Sequence, residues 1–454
     1  MKLTFWEVAQ ALQAQNDWRA WPDFELSGVE FDSRKIMTGN LFVPLKGEND
    51  GHSFIQSAIK NGAQAALWSS ETETADFPIL RVADTLEAMQ TLAKYYLQKI
   101  QPSVIAITGS NGKTTTKDMT EAVLAQQFKT YKTQGNYNND IGLPYTILHM
   151  PVETEKLILE MGMDHAGEIE LLSKLAEPEV AAITMIGEAH IENLGSRAGI
   201  AQAKMEITAG LHKEGMLLIP EAEPLLTPLV QNLTQTVKTF GFQTADYQAE
   251  IKEEQKEKMT FTVNDEGTLL SIPVPGKYNV DNALIAFGIG QWFGLSIKQI
   301  QHGLADFQLT KNRTEWLKTK SNIELLSDVY NANPTAMNLV LDSFSQMPTK
   351  GKRVAVLGDM LELGPDSSLM HCSVAQHLKP AEIAEVYLYG SEMAALYAEL
   401  QKSYPKNQVQ LFAKNEKRAL ISALKESLQA PDMVVLKASN GMGLSEVVSE
   451  LIEI

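Results

Sequence analysis

The chain has 454 residues, 44 % apolar and 21 % charged, a composition that suits ordinary globular folding and exceeds what one hydrophobic core usually organises, so roughly two to four domains are expected. Its 39 basic residues against 56 acidic ones give a net charge of −17, which argues against a nucleic-acid-gripping surface and demands a local positive site for any anionic ligand. The single cysteine, Cys372, excludes an intrachain disulfide and suits a reducing compartment.

The first residues read as an amphipathic helix rather than a signal peptide: Thr4 caps it, Glu7 completes a capping box, and Phe5, Val8, Ala9 and Leu12 share one face. No window approaches the ~18 apolar residues that span a bilayer, so a cytoplasmic location without membrane insertion is expected. Residues 1–98 alternate strand-like runs at 41–45, 65–68 and 79–82 with helical stretches, and end in a helix opened by Asp84 and Glu87. Pro102 marks a boundary. In a second block, 99–312, buried strands are predicted at 104–107, 157–159 and 180–183, hairpin-like segments over 250–275, and a helix over 279–293. The third block, 313–454, has strand-like runs at 323–326, 354–357, 386–388 and 434–436, each followed by a helical segment. That alternation predicts an α/β fold with a mostly parallel, doubly wound sheet.

The strongest chemical signal is Thr108-Gly109-Ser110-Asn111-Gly112-Lys113-Thr114-Thr115-Thr116, between an apolar strand and a helical pattern. Glycines let backbone amides face a phosphate chain, Lys113 brings a point charge, and Thr114 offers a hydroxyl to Mg²⁺. The loop is shorter than the common phosphate-loop pattern, whose first glycine position is Ile107 here. An ordinary strand-to-helix turn is the bland alternative. Glu160 closes the second strand run, at the end where doubly wound sheets bind ligands, although a strand-end surface acid reads the same way. His190 follows the third run, and by itself a structural histidine fits it as well. Lys204 lies in a helical stretch beside Glu206, and spacing alone makes it a solvated lysine.

Taken in order, these segments resemble the Mur ligases, amide-bond-forming enzymes of peptidoglycan synthesis, over essentially the whole chain. The resemblance is carried by Asp32-Ser33-Arg34, Gly39 to Val43, Asp50-Gly51-His52, Gly135-Asn136-Tyr137-Asn138-Asn139-Asp140, Glu160-Met161-Gly162, His190 with Gly195-Ser196, and Gly358-Asp359-Met360. Asp328-Val329-Tyr330-Asn331-Ala332-Asn333-Pro334 is its most specific segment and looks like the branch that adds D-alanyl-D-alanine. Two departures stand out: Tyr278-Asn279 replaces the usual His-Asn, and Lys437-Ala438-Ser439 replaces Lys-Gly-Ser.

The resemblance implies three domains: a small α/β domain for a UDP-sugar (1–98), a central phosphate-loop ATPase (99–312) and a Rossmann-like C-terminal domain (313–454). It implies ATP-dependent ligation of D-alanyl-D-alanine to UDP-MurNAc-tripeptide through an acyl phosphate, by a monomer without nucleic-acid partners. ATP would contact Gly109, Ser110, Asn111, Gly112, Lys113, Thr114 and Thr115, with Asn282, Asp328 and Asn331 at the nucleoside. Thr114 and Glu160 would hold one Mg²⁺, and His190 with Lys204, carbamylated by CO₂, a second. Lys113, His190, Lys204 and Arg313 would serve the chemistry, and Ser33, Arg34, Asn136, Asn138, Asn139, Lys437 and Ser439 the substrates. Open rivals are the ligase that adds the third residue, a folate polyglutamate synthetase, and an ATP-hydrolysing switch that ligates nothing.

Overall fold

The computed structural model describes residues 1–71, 76–264, 267–308, 310 and 313–454. The expected division at 312/313 touches Asn312, which lies outside the described residues. Three larger sheets follow one another along the chain, with a two-stranded ribbon at the start.

The first is a four-stranded parallel sheet of Gly28–Glu30, Asn40–Phe42, Ala65–Trp68 and Ile79–Arg81. Its strands are short and buried, and its core continues under helix Thr85–Ile100, which Asp84 caps by accepting from the amides of Leu86 and Glu87. The N-terminal helix Phe5–Ala11 forms as expected, with Thr4 Oγ1 accepting from Glu7 N at 3.3 Å. The capping box is not completed. The Glu7 carboxylate instead accepts from Tyr95 Oη at 2.7 Å and Lys99 Nζ at 2.6 Å, tying the first helix to the one that ends the block.

The second sheet has nine strands in the order Leu270–Ile272, Lys258–Val263, Tyr247–Gln255, Thr236–Gly241, Met216–Pro220, Val180–Ile183, Ser103–Thr108, Lys156–Glu160 and Thr130–Lys132. Its pairs are parallel from the last strand back to Tyr247–Gln255, after which the hairpins over 250–272 run antiparallel. The register sets Ile107 opposite Glu160 and Thr108 opposite Ile183, so three neighbouring strands end on one line. One face packs on the N-terminal block. The other carries helices Lys113–Leu124 and Lys277–Trp292, the latter buried almost all round.

The third sheet, in the order Glu315–Lys318, Glu324–Asp328, Met433–Lys437, Arg353–Gly358, Glu385–Tyr389 and Val409–Phe412, is parallel except for its first pair and has apolar cores on both faces. All four expected runs are strands. The two edge strands, 315–318 and 409–412, are additions. In the central sheet, so are Thr130–Lys132, Met216–Pro220 and Thr236–Gly241. No helix among the described residues is long and apolar enough to cross a membrane.

Candidate active site

The glycines of the phosphate loop are required by space and by backbone. Gly109 has φ 148°, and a Cβ there would lie 1.8 Å from Thr184 Oγ1. Gly112 has φ 83° at the N-cap of helix Lys113–Leu124, and a Cβ there would lie 2.5 Å from Asn282 Oδ1. The first amides of that helix have no intrahelical partner, a standing anion site. Lys113 folds back to donate to Gly109 O at 2.8 Å, and burial pushes its ammonium below the ordinary lysine range. Thr114 Oγ1 donates to Glu160 Oε2 at 3.0 Å, and Asn138 Nδ2 donates to Glu160 Oε1 at 2.9 Å. Glu160 is therefore a buried acid turned into the site rather than a surface one.

His190 adopts φ 62°, and its Nδ1 lies 2.7 Å from Glu362 Oε2 and 3.2 Å from Asp164 Oδ1. Lys204 is 2 % exposed, which overturns the solvated reading made from spacing alone. Its helix, Arg197–Met205, buries Ile200, Ala201, Ala203 and Lys204, while the Glu206 carboxylate turns away to accept from the amides of Gly167 and Glu170. Burial, with Lys113 adding repulsion, holds the Lys204 ammonium well below its usual range. No carboxylate among the described residues pairs with it. Oxygen donors at Thr114 and Glu160 suit a hard divalent cation, and Asp164, His190 and Glu362 set three ligand atoms within 4.8 Å of one another.

The C-terminal sheet completes the site. Arg313 donates to Thr114 Oγ1 at 3.2 Å, with its guanidinium 3.9 Å over the Tyr330 ring. Asp328 pairs with buried Lys437, whose Nζ also donates to Asn331 O at 2.9 Å. Ser439 Oγ accepts from Leu361 N at 2.9 Å. Two further links close the junction. Asn111 and Asn333 exchange amide hydrogen bonds at 3.2 and 3.1 Å, and Glu188 accepts from Thr335 N at 3.0 Å and Thr335 Oγ1 at 2.9 Å.

Two cavities flank the loop, each of about 410 Å³. One has apolar walls, with Phe240, Phe242 and Leu339 beside Thr115, Asn282 and Asp328. The other is polar and gathers Lys113, Asn136, Asn138, His190, Lys204 and Ser439. Asn111, Gly112, Arg313 and Asn331 border both.

Not every expected residue gathers there. Ser33 and Arg34 line neither cavity; Arg34 is exposed and grips Asp32, holding that carboxyl at about 2. Asn139 Oδ1 accepts from Gly142 N at 2.8 Å, shaping the entry to helix Gly142–His149. Both polar atoms of Asn282 are engaged, Oδ1 by Thr116 Oγ1 at 3.1 Å and Nδ2 by Asn279 Oδ1 at 3.1 Å. Sequence reasoning missed Lys117, Asp164 and Thr335, and gave no role of their own to Glu188, Asn333 and Glu362. Lys117, 3.8 Å from Glu160, stands one turn after Lys113, a spacing that could have exposed it. Asn333 before Pro334 carries a helix N-cap pattern and does cap, accepting from Ala336 N at 2.9 Å.

A phosphate loop between a nucleoside-sized chamber and a polar one, shut by a second domain, belongs to an ATP-dependent ligase. Comparison with known proteins narrows this. The Mur ligase middle domain matches residues 107–290, the Mur ligase glutamate ligase domain 312–440, and the Mur ligase catalytic domain 25–97. The UDP-N-acetylmuramoyl-tripeptide–D-alanyl-D-alanine ligase of Bacillus subtilis is 43 % identical over 95 % of each chain. The Escherichia coli ligase of the same name is 35 % identical, again over 95 % of each. Among solved structures, MurF of Acinetobacter baumannii superposes with a TM-score of 0.89 at 30 % identity, over 100 % of this chain and 99 % of that one. MurF of Thermotoga maritima in complex with ADP gives 0.83 at 25 %, over 96 % and 98 %. The chain belongs to the Mur ligase family.

Proposed function

We propose that this protein is an ATP-dependent ligase of peptidoglycan synthesis that joins D-alanyl-D-alanine to UDP-N-acetylmuramoyl-tripeptide, working in the cytoplasm as a monomer. The polar chamber carries this reading: a carboxylate entering it meets Lys113 at the loop on one side and Asn331 and Ser439 of the last domain on the other. The ATP γ-phosphoryl passes to the tripeptide's terminal carboxylate, and the dipeptide amine then displaces phosphate to form the amide.

The chain's own residues meet the demands of that reaction. Carboxylate and triphosphate repel each other, so the loop amides, Lys113 and Arg313 gather positive charge where they meet. Thr114 and Glu160 would hold one Mg²⁺, and His190 with carbamylated Lys204 a second; bound there, the metal would supply charge neutralisation for phosphoryl transfer. An uncharged Lys204 amine, as its burial favours, is the form that reacts with CO₂. Asp328 and Asn331 border the nucleoside, and Asn136, Asn138, Lys437 and Ser439 orient the joined partners. Ser33 and Arg34 contribute to the UDP-sugar face of the first domain. Docking of the last domain on the loop keeps water from the acyl phosphate.

Phosphate release from ATP is the direct test. It is expected only when UDP-tripeptide and D-alanyl-D-alanine are both present. Efficient turnover of a UDP-dipeptide with a single amino acid, or release indifferent to either acceptor, rejects the assignment.

A further inference from the structure

The apolar-walled chamber holds a carboxylate that no step above uses. Asp281 lies on helix Lys277–Trp292, next to Asn282, and faces the chamber with Pro220, Phe240 and Phe242. Among the described residues no hydrogen bond or ion pair reaches its carboxylate. Its polar neighbours are committed elsewhere. Asn282 is held at both ends, Asn331 Oδ1 accepts from Ala332 N at 2.9 Å, and the Lys277 ammonium sits 4.0 Å over the Phe242 ring. The half-buried Asp281, without a partner on the wall of a ligand chamber, is placed to meet a ligand there.

We propose that Asp281 reads the edge of the nucleotide base and selects adenine over guanine, an inference that rests on the ATP-ligase reading above. Adenine offers an amino donor beside a ring-nitrogen acceptor. A neutral carboxyl matches that pair, its carbonyl accepting and its hydroxyl donating. Guanine places a carbonyl oxygen beside ring and amino N–H donors, a pattern that suits an ionised carboxylate instead. Burial pushes the Asp281 carboxyl up to about 7, with Lys277 opposing and Glu221 adding to the rise. Lys277 faces it from its own helix and Glu221 from beyond strand Met216–Pro220, while Arg313, Asp328 and Lys437 stand on the same chamber's wall. The mutual pair of Asp328 and Lys437 leaves little net charge from that side. Below about pH 7 the acid form therefore favours adenine, and above it the preference fades.

The test is calorimetric titration of the full chain with ADP and with GDP, at about pH 6 and about pH 8.5, either side of the expected transition. The phosphate chains titrate alike, so the ratio of the two affinities isolates the base. The wild-type preference for ADP should fall about tenfold between the two conditions, the scale of one paired base contact. Asp281→Asn, whose amide keeps one acceptor and one donor, should retain the preference at both pH values. Asp281→Leu should lack it at both. A wild-type preference that ignores pH and survives in Asp281→Leu overturns the inference and leaves the ligase reading standing. Failure of the wild type to bind either nucleotide overturns both.

Discussion

Lys113→Ala is expected to lower ATP-dependent ligation about 10²–10³-fold, the usual cost of removing a charge contact to the transferring group. The folded chain should be at least as stable as the wild type. Lys113 is half-buried, its ammonium is pushed down by desolvation, and its one described hydrogen bond is to the carbonyl of Gly109. Removing it relieves a desolvated cation while the helix start remains set by Gly112 and the loop by Gly109. Phosphate release measured beside a thermal melt separates the two effects. A well-folded variant that ligates at the wild-type rate would show that the loop does not handle the triphosphate.

Lys204→Ala should be nearly inactive and should regain part of its activity when a short carboxylic acid such as acetate is supplied. A free lysine is cationic at neutral pH, with an ordinary pKa of ~10.4, and would repel Mg²⁺. As a carbamate it becomes an anion with two oxygen ligands of the kind this metal takes. Desolvation in the Lys204 pocket and repulsion from Lys113 both favour the neutral amine from which the carbamate forms. Alanine leaves a cavity that a small carboxylate can enter. Lys204→Arg fills the same space with fixed positive charge and should not respond to added acid. Full activity of Lys204→Ala without acetate would return the residue to a packing role.

The contrast between these two lysines shows what a sequence makes legible. Lys113 stands in a local pattern of strand, glycines and helix, all of which form within one stretch of chain. Lys204 belongs to a stripe, Ile200, Ala203, Lys204 and Ile207, that the helical period places on one buried face. The stripe was the available signal, and the neighbouring Glu206 concealed it by suggesting a charged surface. Strands buried on both sides, such as Val180–Ile183, were readable as apolar runs. Edge strands Glu315–Lys318 and Val409–Phe412 are only half-buried and carry mixed side chains, so no such run marks them. The gathering of Asp164 and Glu362 about His190 was beyond reach for another reason. It depends on how two sheets sit against each other, and no local spacing encodes that.

The junction between loop and last domain has a kinetic meaning. Beside the contacts of Arg313 with Thr114 and of His190 with Glu362, the links Asn111 with Asn333 and Glu188 with Thr335 join short polar groups that water can replace. Each bond between the two asparagines contributes about 0.5–1.5 kcal/mol net, and each bond to the Glu188 carboxylate about 1.5–3 kcal/mol. These links add little to the cost of opening the junction to admit nucleotide and discharge ADP, and a grip on a phosphoryl group favours the shut form. Amides, a hydroxyl and a carboxylate therefore help to hold the junction shut, and softening them should trade protection of the acyl phosphate for speed of release.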